Sequence, residues 1–166
     1  AAAPAMTLIE NTLMTSHSEE VVNRWGIINF DNVKEKTKDI VSEFDVRTPT
    51  LDNAAASLSG GNLQKFVIGR EILQKPRVFV VNQPTWGVDA AAAAFIRQSI
   101  LNLASQDSAV VVISQDLDEL FEICDTFAVL TNGHLSKSHN IRSLSSEDVG
   151  LLMGGSDLDL KNHDKT

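Results

Sequence analysis

Residues 77–85 read RVFVVNQPT, and this stretch decides the fold class. Its apolar run, residues 78–81, is typical of a strand buried in a parallel sheet. The run is far too short to be a membrane-spanning segment, which needs roughly 20 residues. Two amides, Asn82 and Gln83, follow the run directly. Because α/β sheets bind ligands at the carboxyl ends of their strands, we expect these two side chains to lie at a functional site.

After residue 58, short apolar runs alternate with helical patterns, as expected for parallel strands joined by crossover helices. The fold class is therefore α/β, with a mostly parallel sheet. Asn132 and Gly133 both tolerate a positive φ, so they predict a tight hairpin turn. In chain order the pattern predicts a helix over about 62–74, a strand over 77–82, a helix over 90–105, a strand over 109–114, a helix over 117–123, a strand over 126–131, the hairpin with a short strand, and a helix over about 145–153.

The chain before residue 58 is polar and predicts helices. Thr7 and Glu10 have the spacing of a capping box. A stripe behind Asp31 predicts a helix that buries one face, and its members are Val33, Thr37, Ile40, Val41 and Phe44. The segments predicted from these patterns are a helical subdomain over 1–57, an α/β core over 58–155 and a polar tail over 156–166.

The composition limits the class of protein. The 166 residues are 43% hydrophobic and 22% charged, which suits one soluble domain or part of one. A net charge of -8 without a cluster of Lys and Arg argues against a nucleic-acid binder, because neutralising phosphates needs such a cluster. The only cysteine, Cys124, falls in an apolar pattern and predicts a buried core thiol. The histidines lack metal-ligand spacing, so no metal site is predicted in the chain itself.

Residues 58–65, LSGGNLQK, carry the most specific local signal. Ser59 and two glycines come directly before an amphipathic run. Free N–H groups of a first helical turn, together with the helix dipole, favour an anion at such a position. An ordinary serine cap followed by a glycine turn has the same three residues, so both interpretations stay open for the triplet alone.

The full octet resembles the signature motif of ABC ATPases, in the LSGGNxQK form of the importers of simple sugars and nucleosides, and it matches at every fixed position. In that family the signature helix closes over the γ-phosphate of an ATP seated on a partner ATPase domain. The resemblance therefore implies a partial P-loop NTPase fold with ATP and Mg²⁺ as cofactors. The nucleotide contacts that it implies come from Ser59, Gly60, Gly61, Asn62 and Gln64.

Residues 77–85 resemble the Walker B strand and the proline-threonine turn of the same family, with departures. Asn82 stands where the family has the aspartate of the magnesium shell, and Gln83 stands in place of the catalytic glutamate. Gln115 stands in place of the switch histidine. An amide supplies no charge to Mg²⁺ and takes no proton from water, so this half-site is expected to hydrolyse ATP poorly or not at all. Without the octet, Asn82 and Gln83 would be interpreted as caps of the next turn.

Asp89, in the run Gly87-Val88-Asp89, fits the family's D-loop, which lies at the dimer seam and would place this carboxylate near the nucleotide. None of the nine glycines is followed by lysine, so the sequence contains no G-x-x-x-x-G-K-[ST] loop. The chain resembles the latter half of the second ATPase domain of a tandem protein, and the phosphate-binding loop and Q-loop are expected upstream. Alone, the chain is expected to be inactive as an ATPase.

The resemblance also implies a function and partners. The expected function is that of the ATP-binding subunit of an ABC importer, peripheral at the cytoplasmic face of the inner membrane. Its expected partners are a second ATPase domain, permease subunits and, indirectly, a solute-binding protein. Two alternatives stay open, a noncatalytic interaction fragment and a soluble ABC ATPase of DNA repair or translation. The NxQK extension and the acidic charge disfavour the soluble ATPase.

Overall fold

The chain divides into two compact units, residues 1–115 and residues 116–166, in a computed structural model. The structure describes residues 1–16, 21 and 26–155, so the predicted polar tail lies outside the described residues. Within these ranges, no helix has both the length and the apolar character that a membrane span requires. The predicted boundary between residues 57 and 58 falls inside the first unit and stays a prediction.

The first unit combines helices with a pair of parallel strands, as the α/β pattern predicts. Every element predicted between residues 58 and 115 is present close to its expected bounds. The elements are α1 (Leu8–Thr15), α2 (Phe30–Glu43), a 3-10 turn (Ala55–Ser57), α3 (Gly60–Ile72), β1 (Val78–Asn82), α4 (Ala90–Ala104) and β2 (Ala109–Ile113).

The second unit contains short antiparallel pairs between two helices. Its elements are α5 (Leu117–Ile123), β3 (Thr126–Phe127), β4 (Leu130–Thr131), β5 (His134–Leu135), β6 (His139–Asn140), a 3-10 turn (Ile141–Ser143) and α6 (Ser146–Met153). The predicted hairpin at Asn132 and Gly133 is confirmed, with φ values of 48° and 78°. It joins β4 to β5, while β3 pairs with β6.

The single strand predicted over residues 126–131 is wrong, because the chain is divided there into β3 and β4. Between them, the backbone N–H of Val129 donates to the side-chain Oγ of Ser136 at 2.9 Å. The backbone N–H of Ser136 returns a bond to the Val129 carbonyl at 2.8 Å. A hydroxyl takes the place of a backbone carbonyl, so the regular ladder is interrupted at this residue.

Local caps fix the helices of the first unit. The predicted capping box is confirmed, because Thr7 Oγ1 accepts from the Glu10 N–H at 3.1 Å and the Glu10 carboxylate accepts from the Thr7 N–H at 2.7 Å. The helix predicted behind Asp31 begins one residue earlier, at Phe30. Asn29 is its cap, since Asn29 Oδ1 accepts from the Asn32 N–H at 3.2 Å.

One apolar core holds the first three helices together. It consists of Leu8, Ile40, Phe44, Val46, Ala55 and Phe66. Of the stripe predicted for α2, Ile40 and Phe44 belong to this core and Val41 packs against it, while Val33 and Thr37 are also buried. Gly69 of α3 lies directly against the ring of Phe44, which in turn meets Phe95 of α4 edge to face at 5.9 Å between ring centroids. The signature helix α3 is therefore packed on one side by α2 and on the other by α4.

The strands β1 and β2 pair in parallel along their whole length, from Val78 opposite Ala109 to Asn82 opposite Ile113. Side chains of a strand alternate between the two faces of a sheet, so opposite residues share a face. On one face Phe79 is only 7% exposed, and α4 packs against β2. The parallel pairing brings the carboxyl ends of the two strands together, as the sequence predicts.

The other face of this sheet is exposed, and the prediction of a strand buried on both sides is wrong for it. Val78 and Val80 of β1 are 63% and 61% exposed, and Val111 and Ile113 of β2 are 50% and 52% exposed. Parallel sheets are normally covered on both faces. The apolar pattern of the strands is therefore typical of a sheet covered on both faces. Among the described residues, only the face of Phe79 is covered.

The two faces of β1 should respond differently to substitution. Phe79→Ala is expected to lower the free energy of unfolding by about 3–5 kcal/mol, because it empties a buried site. Val80→Thr keeps a branched side chain on the exposed face, so it is expected to change the free energy of unfolding by about 0.5 kcal/mol or less. Urea denaturation of both variants measures the difference. Equal losses would show that the exposed face is covered in solution.

Gly69 should tolerate no larger residue. An ideal Cβ there would lie 2.5 Å from Cγ of Phe44, so Gly69→Ala is expected to lower the free energy of unfolding by about 1–3 kcal/mol despite its better helix propensity. Gly150, within α6, is the matched control because a Cβ there meets nothing within 4 Å. Gly150→Ala should stabilise by about 0.5–1 kcal/mol in the same urea titration. A stable Gly69→Ala variant would contradict the packing of α3 on Phe44.

Candidate functional site

Ser59 is the N-cap of α3 and lies at the surface. Its backbone has the extended geometry of a cap, with φ −63° and ψ 157°, and both Ser59 and Gly60 are exposed. We call Ser59, Gly60 and Gly61 the signature turn. Its position on the surface meets the first requirement for contact with a second molecule. The first turn of α3 contains no acidic side chain, so the helix dipole there favours an approaching anion.

The side chain of Asn62 is held at both ends. Its Oδ1 accepts a hydrogen bond from the backbone N–H of Arg47 at 2.9 Å, and its Nδ2 donates to Oγ of Ser59 at 2.9 Å. Ser59 Oγ also accepts from the backbone N–H of Asn62, at a longer 3.5 Å. Asn62 therefore joins the segment that follows α2 to the cap of the signature helix.

The two glycines of the signature turn allow the loop after β1 to approach closely. An ideal Cβ on Gly60 would lie 3.2 Å from the carbonyl oxygen of Gly87. One on Gly61 would lie 3.3 Å from Cβ of Ala92 and 3.6 Å from Oδ2 of Asp89. Asp89 is the N-cap of α4, and its Oδ1 accepts from the Ala92 N–H at 2.9 Å. The signature turn and the predicted D-loop thus form one surface.

Lys65, the last residue of the octet, ties α3 to the end of α2. Its Nζ lies 2.9 Å from Oδ2 of Asp45 and donates to the Asp45 backbone carbonyl at 3.2 Å. The same ammonium group lies 5.0 Å from the ring centroid of Phe95. The hydrogen bond and the charge of Lys65 lower the pKa of the exposed Asp45 carboxyl below its ordinary value. Lys65 is thereby engaged within the chain.

The three amides predicted at the strand ends follow two neighbouring strands. Asn82 is exposed at the end of β1, and Gln83 is half-buried directly after it. The backbone N–H of Gln83 donates to the Ile113 carbonyl at 2.7 Å, and Gln115 is exposed two residues beyond Ile113. Gln83 has a φ of 52°, which costs a residue other than glycine some backbone strain. The chain turns sharply at this position.

The chemistry available at these strand ends is that of neutral amides. None of Asn82, Gln83 and Gln115 can take a proton from water at neutral pH or supply a negative charge to a cation. Carboxylate oxygens are the ligands by which proteins usually hold Mg²⁺, so this donor set does not fit that ion. An amide can still donate to a phosphate oxygen. The strand ends can therefore contact an anion but supply neither a general base nor a metal anchor.

The structure brings the signature turn and Asn62 together with the loop of Gly87 and Asp89. Asn82 and Gln83 lie at the other end of that loop, and Gln115 follows β2. Gln64 is half-buried within α3, and no contact assigns it a ligand. Trp86 is 77% exposed in that loop.

Sequence reasoning missed the segment of Asp45 and Arg47 that holds the octet. Arg47 contributes only its backbone N–H, a group that every residue but proline carries, so no sequence signal marks it. Asp45 has a φ of 46°, a conformation that aspartate adopts more readily than most residues. An aspartate directly after a helix was the one available sign of a turn there.

Cys124 is half-buried rather than fully buried, in the second unit. Burial raises the pKa of its thiol, and the neighbouring Asp125 and Glu119 carboxylates raise it further. A thiol with a raised pKa stays protonated and is a weak nucleophile. The prediction of a buried core thiol is therefore only partly confirmed, because the residue is half-buried.

The chain is similar in sequence to several ATP-binding proteins of import systems, although no protein-family model matches it. The guanosine import ATP-binding protein NupO of Bacillus subtilis is 34% identical over 147 residues, which are 89% of this chain and 29% of that protein. The nucleoside import ATP-binding protein NupA of Lactococcus lactis is 31% identical over 92% of this chain and 30% of its own length. The galactose/methyl galactoside import ATP-binding protein MglA of Mannheimia succiniciproducens is 33% identical, over 85% and 28%. The chain thus spans less than a third of the relatives it matches.

Solved structures show the same fold. The dimeric post-hydrolysis structure of the ATP-binding cassette MJ0796, bound to ADP and Pi, matches with a TM-score of 0.69 and 19% identity over 86% of this chain. A chain of an ABC transporter in an inward-facing conformation matches with a TM-score of 0.75 and 20% identity over 93%. These alignments cover 60% and 61% of the two solved chains. The fold of this chain therefore corresponds to part of the fold of an ATP-binding cassette.

The ion pair between Asp45 and Lys65 should make a pH-dependent contribution to stability. A carboxyl whose pKa is lowered by folding contributes fully above its ordinary pKa and loses that contribution as the pH falls through the lowered value. Asp45→Asn is therefore expected to lower the melting temperature slightly at about pH 7, and this difference should shrink as the pH falls below the ordinary aspartate pKa of about 3.9. Melting curves over this pH range measure the difference. A difference that persists in acid would contradict the ion pair as its cause.

Proposed function

We propose that the chain is a member of the ABC ATPase family and works as part of the ATP-binding subunit of an importer of simple sugars or nucleosides. Its similarity to ATP-binding proteins of nucleoside and galactose import and its match to the fold of an ATP-binding cassette support this proposal. Its signature turn completes an ATP site on a partner ATPase domain. Its own strand ends, which carry amides where the family has charged groups, form a half-site that does not hydrolyse ATP.

The observation that carries this proposal is the exposed signature turn. Ser59 and Gly60 lie at the surface, at a helix start without acidic residues, and Gly60 and Gly61 are fitted against the loop of Gly87 and Asp89. Such a turn offers backbone N–H groups, a hydroxyl and the helix dipole to the same anion. A terminal phosphate of ATP that is held by another domain matches this donor set.

The strand ends support the second half of the proposal. ATP hydrolysis needs a group that orients or deprotonates the attacking water and a metal ion that neutralises developing charge. Asn82 and Gln83 supply neither a base nor an anionic metal ligand. The Mg²⁺ of the active site is therefore held by residues of the partner domain, and this chain contributes Ser59 and its neighbours to the phosphate.

The proposed partners follow from the same relatives. A second ATPase domain is required, because a signature turn acts on a nucleotide that its own domain does not hold, and the cassette MJ0796 was solved as a dimer. Permease subunits carry the solute across the membrane, with a solute-binding protein acting indirectly. The protein then lies at the cytoplasmic face of the membrane as a peripheral subunit. The solute is a simple sugar or a nucleoside, as in the names of the relatives.

Replacing Ser59 by a bulky residue tests the proposal. In the assembled complex of this chain with its partner ATPase and permease, Ser59→Phe is expected to abolish ATP-driven uptake and to reduce ATP hydrolysis by about 100-fold or more, the order of losing one transition-state donor. Ser145→Phe is the matched control, because Ser145 is also the N-cap of a helix, α6, but belongs to the second unit. That variant should retain uptake.

The result also separates the proposal from its alternative. Full ATP hydrolysis in the Ser59→Phe complex would contradict a phosphate contact from the signature turn. If ATP hydrolysis is unchanged in Ser59→Phe but the complex fails to assemble without this chain, the chain is a noncatalytic interaction segment instead. Copurification of the chain with an apolar permease is expected under the proposal and excludes a soluble ATPase of DNA repair or translation.

A further inference from the structure

We propose that Asn62 is a positioning residue that fixes the direction of the Ser59 hydroxyl, so that this hydroxyl donates its proton outward to the bound phosphate. The inference rests on the function proposed above and deepens it. The octet residue Asn62 then acts through Ser59 and does not contact the nucleotide itself. Its assigned role follows from three hydrogen bonds and from a comparison with two other caps of the same chain.

The backbone N–H of Arg47 determines which way the Asn62 amide faces. A backbone N–H can only donate, so the atom 2.9 Å from it must be an acceptor, which is the Oδ1 of Asn62. The amide nitrogen is then left facing Oγ of Ser59, also at 2.9 Å. The donor end of the amide is therefore directed at the serine by a group 15 residues away in the chain.

The hydroxyl of Ser59 consequently acts as an acceptor toward its own helix. A hydroxyl has one proton to donate and two lone pairs that accept. At Ser59 the lone pairs receive Nδ2–H of Asn62 at 2.9 Å and the backbone N–H of Asn62 at 3.5 Å. Neither of these groups can accept the serine proton. The proton is thus directed away from the helix, toward the exposed side of the signature turn.

Two other hydroxyl caps in the chain have the opposite arrangement. Ser145 donates its proton to Oδ2 of Asp148 at 2.7 Å, and Thr7 donates to Oε2 of Glu10 at 2.9 Å. In both, the residue three positions after the cap is a carboxylate, which can only accept. Asn62 occupies the same position relative to Ser59. The change from carboxylate to amide reverses the direction of the serine hydrogen bond.

This reversal suits a ligand that presents only acceptors. The oxygens of a terminal phosphate accept hydrogen bonds, and an oriented O–H group loses no bond within the protein when it donates to them. A carboxylate at position 62 would compete with the phosphate for that proton and would place a negative charge at the helix start. Asn62 therefore favours phosphate binding at Ser59 without touching it.

The test compares Asn62→Asp, Ser59→Ala and the double variant in the assembled ATPase complex. Aspartate has the shape of asparagine, still accepts from Arg47 and can form the capping box seen at Ser145, so Asn62→Asp should melt at the wild-type temperature or above it. Its ATP turnover should nevertheless fall by about 10- to 100-fold, as for the loss of one hydrogen bond to a charged group. The ATP turnover of Ser59→Ala should fall by a similar factor.

The double variant distinguishes two causes of a loss in Asn62→Asp, a misdirected Ser59 hydroxyl and repulsion between the new carboxylate and the phosphate. If Asn62 acts through the Ser59 proton, Asn62→Asp should add little further loss once Ser59 is alanine. Losses that multiply in the double variant would overturn the inference, since Asn62 would then act independently of Ser59. Should Asn62→Asp lower the melting temperature, Asn62→Ala replaces it, because alanine removes the donor without adding charge and the same non-additivity is expected.

The single variants show whether a failed prediction contradicts the positioning role of Asn62 or the proposed function on which it rests. Full turnover in Ser59→Phe would overturn the proposed function, whereas full turnover in Ser59→Ala alone would overturn the inference, because the hydroxyl would then be dispensable. Reduced turnover in Ser59→Ala with wild-type turnover and stability in Asn62→Asp would overturn only the positioning role. Reduced turnover in both, with no further loss in the double variant, is the result expected here.

Discussion

The site depends on the close approach of two backbones, the start of the signature helix and the loop that follows the first strand. The carbonyl oxygen of Gly87 lies 3.2 Å from the place where a side chain on Gly60 would begin, so a larger residue there would push this loop away by a few tenths of an ångström. Behind it, the ring of Phe44 occupies the space that a side chain at Gly69 would need. The signature helix is thereby held between two neighbours, and its capped start is left at the surface.

Two regions with different chemistry result from this arrangement. The signature turn offers donors to an anion, whereas the strand ends carry amides that neither bind a metal strongly nor take a proton. Under the proposed function, the signature turn assists hydrolysis at another domain and the strand ends of this chain perform none. The asymmetry between the two regions is chemical, because the two strands still pair in parallel as the α/β pattern predicts.

Much of the fold followed from local sequence signals. The capping box at Thr7, the hairpin at Asn132 and the parallel pairing of the two central strands were all predictable, because each depends on neighbouring residues or on a regular apolar pattern. The position of Ser59 at an exposed helix start was predictable for the same reason. The resemblance of its octet to a family motif supplied the functional interpretation, which the residues alone left open.

Other features were not predictable, since they depend on distant partners. The apolar pattern of Val80 and its neighbours indicated burial on both faces, but burial is decided by which layers cover a strand, and one face is exposed here. Trp86 is exposed although tryptophan usually packs. The bond between Asn62 and the backbone of Arg47 had no signal, because a backbone N–H is common to nearly every residue.

The most direct test of the account is a structure of the assembled complex with a nonhydrolysable ATP analogue bound. The account predicts that the γ-phosphate of a nucleotide held by the partner ATPase domain lies within hydrogen-bond distance, about 2.6–3.2 Å, of Oγ of Ser59 and near the N–H groups of Gly60 and Gly61. A complex in which the nucleotide is fully enclosed while Ser59 faces solvent, or faces no nucleotide, would contradict it.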